Sequence, residues 1–131
     1  MKDMTENMRS PMARARGLGS AHEGTHHWWG MKVTAVALVI FGLWLMYSLT
    51  TLAGFDQASA ADWIKKPANA LVLLLFILFG LHHGSNGLQV IIEDYVQNKP
   101  IKTGMTVVKI ILFLAAAVKA SYSILYLALK A

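Results

Sequence analysis

Three long runs of apolar residues, separated by short polar stretches, organise this chain. Residues 33–53, VTAVALVIFGLWLMYSLTTLA, carry no charged side chain. At about 1.5 Å of helical rise per residue they match a hydrocarbon core about 30 Å thick. Residues 68–92, beginning ANALVLLLFILFGL, again lack formal charge, and the preceding Pro67 suits the first turn of a helix, where a missing N–H costs nothing. Residues 105–129 are apolar apart from Lys109 and Lys119, and Pro100 with Gly104 marks the break before them. The runs are too long for barrel strands and show no period-two alternation, and lipid forbids an open sheet edge. The pattern predicts an all-α integral membrane protein with three transmembrane helices. It divides into an N-terminal arm over 1–30 and a membrane-embedded unit over 31–131, with spans at about 31–53, 68–95 and 104–129.

Composition agrees with this reading and removes several chemistries. Of 131 residues, 56% are hydrophobic and only 15% charged, against roughly 25% charged in an average soluble domain. The absence of cysteine excludes a disulfide, a thiolate zinc site, an iron-sulfur cluster, a covalently attached haem and a thiol nucleophile. Histidine is left as the metal ligand. The net charge of +5 could suit nucleic acid or a membrane surface, and its distribution selects the membrane. Lys2, Arg9, Arg14, Arg16 and Lys32 precede the first span, and Lys99 and Lys102 lie between the second and third. The other side carries Lys65, Lys66 and Lys130. The positive-inside bias therefore predicts the arm and second loop in the cytoplasm or the matrix-equivalent compartment and the C-terminus on the opposite side; in a bacterial inner membrane that is a cytoplasmic N-terminus and a periplasmic C-terminus.

Ala58, Ser59 and Ala60 resemble a signal-cleavage site after an apolar run, but that run exceeds a signal core and a long arm with Pro11 and three histidines precedes it. The first span is expected to be permanent. The arm, with RARGLGSAHEGT, has too few apolar residues to fold alone and is expected to dock on something or stay mobile.

Polar residues at depth are costly in lipid, which singles out His82, His83, Asn86, Gln89, Lys109 and Lys119. On a helical wheel Gly80, Gly84 and Gly87 fall within about 100° of His83 on one side, whereas His82 lies about 100° the other way, with Gln89. A surface free of side chains beside His83 suits close helix packing and equally suits a planar macrocycle, so His83 is the better ligand candidate. Three readings stay open on these residues: a small-residue packing face with hydrogen-bonding histidines, a proton or ion relay, and a haem ligand completed by a partner subunit, because no other span offers a second deep histidine.

The second span ends in Ile91-Ile92-Glu93-Asp94-Tyr95-Val96. Tyr95 is an ordinary interfacial anchor on one reading; on the other, its phenol hydrogen-bonds a quinone carbonyl while Asp94 passes protons from water. Asp94 and His83 share a helix face, about 16 Å apart by helical rise. Trp28 and Trp29 read as belt residues, and Lys32 as a cation for a phospholipid phosphate or a cofactor carboxylate. His26 and His27 are adjacent and point to different faces, which makes them a poor metal pair. For Lys119, snorkelling is the first expectation and a partner acid the second.

Gly24-Thr25-His26-His27-Trp28-Trp29 followed by Lys32-Val33-Thr34-Ala35, the step from His83 to Gly87, and Gln89-Val90-Ile91-Ile92-Glu93-Asp94-Tyr95-Val96 together carry a resemblance. Over about residues 10–105 the chain resembles the small membrane-anchor subunit of succinate dehydrogenase, respiratory complex II, of the alphaproteobacterial and mitochondrial type. The resemblance implies a hydrophobic anchor of a succinate:quinone oxidoreductase, a non-autonomous subunit with no activity alone. By the same resemblance His83 is an axial ligand to haem b, with the other histidine from the larger cytochrome b anchor subunit. Tyr95 and Asp94 bind ubiquinone at a site shared with that larger anchor and the iron-sulfur subunit, and electrons arrive through the iron-sulfur subunit from the flavoprotein. Lys32 stands where relatives commonly have Arg near the haem propionates; it keeps the charge and loses the bidentate fork. His82 receives no role. Two other classes compete: a small transport or proton-relay subunit using His82, His83 and Lys119, and a haem-free structural anchor. The partners expected are membrane lipid and these subunits, with no nucleic acid.

Overall fold

The computed structural model describes residues 10–12, 24–52 and 56–129. Lys2, Arg9, Arg14, Arg16, Ala53 and Lys130, with most of the N-terminal arm, lie outside the described residues. The elements in order are α1 (Gly24–Thr50), α2 (Gln57–Lys65), α3 (Pro67–Tyr95) and α4 (Lys99–Leu129). No strand occurs among the described residues. α1, α3 and α4 are each long and apolar enough to cross a membrane, as the three apolar runs require.

Helix α3 is central, with α1 packed along one side and α4 along the other; α1 and α4 make no close backbone approach to each other among the described residues. Side-chain pairs fix an antiparallel register between α1 and α3. Thr34 meets His83, Phe41 meets Phe79 at 5.7 Å between ring centroids, and Trp44 meets Trp63 of α2 at 5.7 Å. α4 returns antiparallel to α3, with Lys102 against Glu93 and Lys109 against Ser85 and Gln89.

The helix ends follow local chemistry. The Asp56 carboxylate accepts the Ser59 backbone N–H at 2.8 Å and starts α2. A side-chain hydrogen bond to Ser59, and after it this backbone contact, hold the Asp56 carboxyl below its ordinary pKa. Lys66 closes α2 in an extended conformation and Pro67 opens α3, where its missing donor is free of cost. The Asn98 side-chain carbonyl accepts the Ile101 N–H at 3.3 Å, so α4 begins at Lys99, carries Pro100 in its first turn and runs on through Gly104.

Burial within the chain is sparse. Ala70, Ile92 and Ile124 are the buried apolar residues, and Thr34, Ser48 and Lys109 the buried polar ones, among the described residues. In the most apolar window of each long helix, between 6% and 11% of residues are buried. Helices that cover so little of one another hold together by small-residue contacts and interhelical hydrogen bonds, and leave their apolar faces to lipid or to other chains.

Candidate functional site

His83 lies midway along α3 on the side that meets α1. Its Nδ1 is 2.9 Å from Thr34 Oγ1, and that hydroxyl also reaches the Gly30 carbonyl at 2.8 Å and the Met31 carbonyl at 3.1 Å. The imidazole is half-buried and lines an open cleft of about 350 Å³ together with His27, Trp28, Met31, Lys32, Ala35 and Val90. Lys32 thus shares the cleft with His83, and its Nζ also lies 5.6 Å from the Trp28 ring centroid. Trp28 and Trp29 stack at 5.9 Å and are mostly exposed, as belt residues are.

His82 points elsewhere. It is exposed, and its Nε2 lies 3.1 Å from Asn86 Nδ2 one turn along the same helix. Lys119 is exposed on α4. His82, His83 and Lys119 thus have different surroundings: Asn86 on the same helix, the cleft against α1, and the exposed surface of α4.

The glycines beside His83 divide between two packing faces. A methyl group built at Gly80 would lie 3.7 Å from Leu38 of α1, and one at Gly84 would lie 3.5 Å from Phe113 of α4, whereas Gly87 has nothing within 4 Å. Gly80 and Gly84 thus serve the close approach of α1 and α4, and of the three glycines beside His83 Gly87 alone has no neighbour at its missing side chain.

Asp94 and Tyr95 end α3, and both are exposed, Tyr95 at 81%. Their helix end is pinned from α4, where Lys102 Nζ donates to the Glu93 carbonyl at 2.9 Å, and closed within α3 itself by the Val96 N–H on the Ile92 carbonyl at 3.1 Å. The pair sits at the end of the helix, and among the described residues no enclosing wall surrounds Tyr95.

Sequence reasoning missed two contacts. Thr34 stood in the Lys32-Val33-Thr34-Ala35 stretch with no role, and its partnership with His83 depends on the α1–α3 register. Lys109 and Gln89 were both singled out as costly, but not as a pair. Lys109 is 7% exposed, and its Nζ donates to Gln89 Oε1 at 2.9 Å and to the Ser85 carbonyl at 3.3 Å; Gln89 Nε2 in turn donates to Glu93 Oε1 at 2.6 Å.

Among the described residues no group of three or more His, Asp or Glu side chains converges on a common metal position. A single imidazole, with Nδ1 engaged and no hydrogen bond to Nε2 among the described contacts, could fill one position on a metal whose other donors come from elsewhere.

Fold and site together define a multi-pass helical membrane protein that buries a few polar residues, Thr34 and Lys109 among them, between helices and has little core of its own. The chain belongs to the succinate dehydrogenase/fumarate reductase transmembrane subunit family, whose pattern matches residues 6–118. It is 36% identical over 108 residues to the succinate dehydrogenase hydrophobic membrane anchor subunit of Rickettsia bellii, covering 82% of this chain and 86% of that protein. The protein of the same name from Paracoccus denitrificans is 39% identical over 88 residues, 67% of this chain and 68% of its own. That of Rickettsia conorii is 30% identical over 106 residues, 80% and 84% of the two chains. No solved structure matches significantly.

Proposed function

We propose that this chain is the hydrophobic membrane anchor of a bacterial succinate:quinone oxidoreductase, that it supplies one axial ligand to haem b, and that it forms one wall of the ubiquinone-reduction site. The observation that carries the reading is the placement of His83 in the α1–α3 cleft beside Lys32, with Asp94 and Tyr95 at the end of the same helix. Family membership supports the anchor role, and so does the exposed apolar surface of all three long helices.

When bound, the haem supplies one-electron transfer chemistry within the membrane. His83 would hold its iron through Nε2, and the Lys32 ammonium, at the mouth of the same cleft, would neutralise a propionate carboxylate. The exposed Tyr95 hydroxyl donates a hydrogen bond to a quinone carbonyl, orienting the ring and stabilising the negative charge that builds on its oxygen during reduction. Asp94, next to it and open to water, delivers protons to the reduced oxygen. Succinate is oxidised on the flavoprotein, and electrons reach the quinone through the iron-sulfur subunit. Those two subunits and the larger cytochrome b anchor complete the walls this chain leaves open. The Lys and Arg distribution supports the second loop, and with it Tyr95, lying on the cytoplasmic side of the inner membrane.

Affinity purification of the tagged chain from membranes of its own organism tests the reading. The expected result is co-purification of three further subunits, a low-spin b-type absorbance band and succinate-dependent quinone reduction. A folded, monodisperse chain recovered without partners overturns it.

A further inference from the structure

The Thr34 hydroxyl touches three polar atoms, and it owns one hydrogen. Two of those atoms, the carbonyl oxygens of Gly30 and Met31, can only accept. A helical threonine commonly satisfies such carbonyls three and four residues back, and the 2.8 Å separation to Gly30 is the shortest of the three. With its hydrogen spent on the Gly30 carbonyl, the oxygen presents a lone pair to His83 Nδ1 at 2.9 Å. A lone pair facing a second lone pair at that distance is repulsive, so Nδ1 carries the proton. The opposite arrangement, with the hydroxyl donating to Nδ1, leaves two carbonyl oxygens pressed on Oγ1 with no hydrogen between them.

We infer that Thr34 is the positioning residue of the haem ligand: by accepting the Nδ1 proton of His83 it fixes the tautomer whose Nε2 lone pair is free to bind iron, and it sets the ring's orientation from a different helix. The inference rests on His83 being the ligand. Thr34 is 5% exposed and its side chain is stiff, so the acceptor is well defined. Accepting the remote proton also makes the ligating nitrogen more electron-rich, as outer partners of metal-bound histidines do. The ligand is therefore competent once α1 has docked on α3, which couples the assembly of this chain to the capture of its cofactor.

The test compares Thr34→Val, Thr34→Ala and Thr34→Ser in the assembled complex, with His83→Ala run alongside. Readouts are the affinity of the haem-depleted complex for added haem, the haem midpoint potential and the low-spin electron paramagnetic resonance signal. Val keeps the shape and removes the acceptor; Ala and Ser differ by one oxygen. The expected result is an affinity about 10- to 100-fold weaker in Val and Ala, restored in Ser. The midpoint potential should rise in Val and Ala, since a less electron-rich ligand stabilises the oxidised iron less. Unchanged affinity and signal in Val and Ala overturn the inference, as does failure of all three variants to assemble, which would mark Thr34 as a packing residue. If His83→Ala retains haem with the wild-type signal, the ligand assignment itself fails. If His83→Ala loses haem while Thr34→Val does not, only the positioning role fails.

Discussion

Lys109 Nζ donates to Gln89 Oε1 at 2.9 Å across the interface between α3 and α4, and the lysine is 7% exposed within a helix long and apolar enough to span a membrane. The ammonium has two oxygen acceptors, Gln89 Oε1 and the Ser85 carbonyl, and no carboxylate in direct contact among the described residues; Glu93 reaches it only through the Gln89 amide. An uncompensated charge in lipid is expensive, so the amide is more valuable to the fold than its neutrality suggests. Gln89→Leu should destabilise the complex by about 1–3 kcal/mol, because it strips an acceptor from a buried charge. Lys109→Met removes the charge and keeps the length, and should cost less. The double variant should recover most of the Gln89→Leu loss. Thermal unfolding of the detergent-solubilised complex reads this, and strictly additive losses would contradict the pairing.

His83→Ala should remove or strongly weaken the b-type spectrum, while His82→Ala leaves it nearly unchanged. The two rings differ in what they touch: His83 is tied to α1 inside the cleft, and His82, among the described residues, to Asn86 on its own helix. Difference spectra of the two variants in assembled complex decide it. Loss of the band in His82→Ala alone would reverse the assignment.

The spans were legible in the sequence because lipid leaves the backbone no alternative to a helix, and an uncharged stretch such as residues 33–53 is readable without knowing its neighbours. α2 was not legible. Its nine residues are short for any periodicity to register, and it is held by the Asp56 cap, by Asn69 Nδ2 donating to the Trp63 carbonyl at 2.9 Å, and by Trp63 against Trp44, of which only the cap is local. The same distinction separates the parts of the site. Spacing on one helix, from His83 to Asp94 and Tyr95, follows from the sequence alone. The contacts of Thr34 with His83 and Lys109 with Gln89 depend on the antiparallel register of two helices, a property of packing that no single segment encodes.

The cap on α2 gives a prediction in pH. Hydrogen bonds to Ser59 lower the folded-state pKa of Asp56 below its unfolded value, so the charged form favours the folded helix. That contribution is complete above the unfolded carboxylate value and is lost as pH falls through the lower folded one. Hydrogen exchange over residues 57–65 should therefore be protected at neutral pH and become faster in acid, after correction for the intrinsic rate. Asp56→Ala should show the fast behaviour at every pH. Asp56→Asn, which caps without ionising, should show little dependence on pH. Equal protection in wild type and Asp56→Ala at neutral pH would dismiss the cap.

Tyr95 ends α3 and is 81% exposed, on a helix terminus held by Lys102 and Ile92. A rigid base under an open side chain suits a group that completes its pocket with other chains. Tyr95→Phe keeps the ring and removes only the hydroxyl. If that hydroxyl donates to a quinone carbonyl, the lost bond is worth about 1–3 kcal/mol, and quinone reduction should fall by roughly five- to 150-fold. Succinate oxidation by an artificial dye that accepts electrons upstream should stay constant, since the proposed function puts succinate oxidation on another subunit. Asp94→Asn should also slow quinone reduction, because an amide occupies the same place and cannot deliver a proton. An interfacial anchor predicts neither loss, as Phe holds the same depth nearly as well as Tyr. Both acceptors are assayed on the same membranes and normalised to flavin content, so a change in assembly lowers both rates together while a change at the quinone site lowers one. Equal quinone rates in wild type and Tyr95→Phe would leave the tyrosine as a membrane anchor and move the quinone contact to another chain.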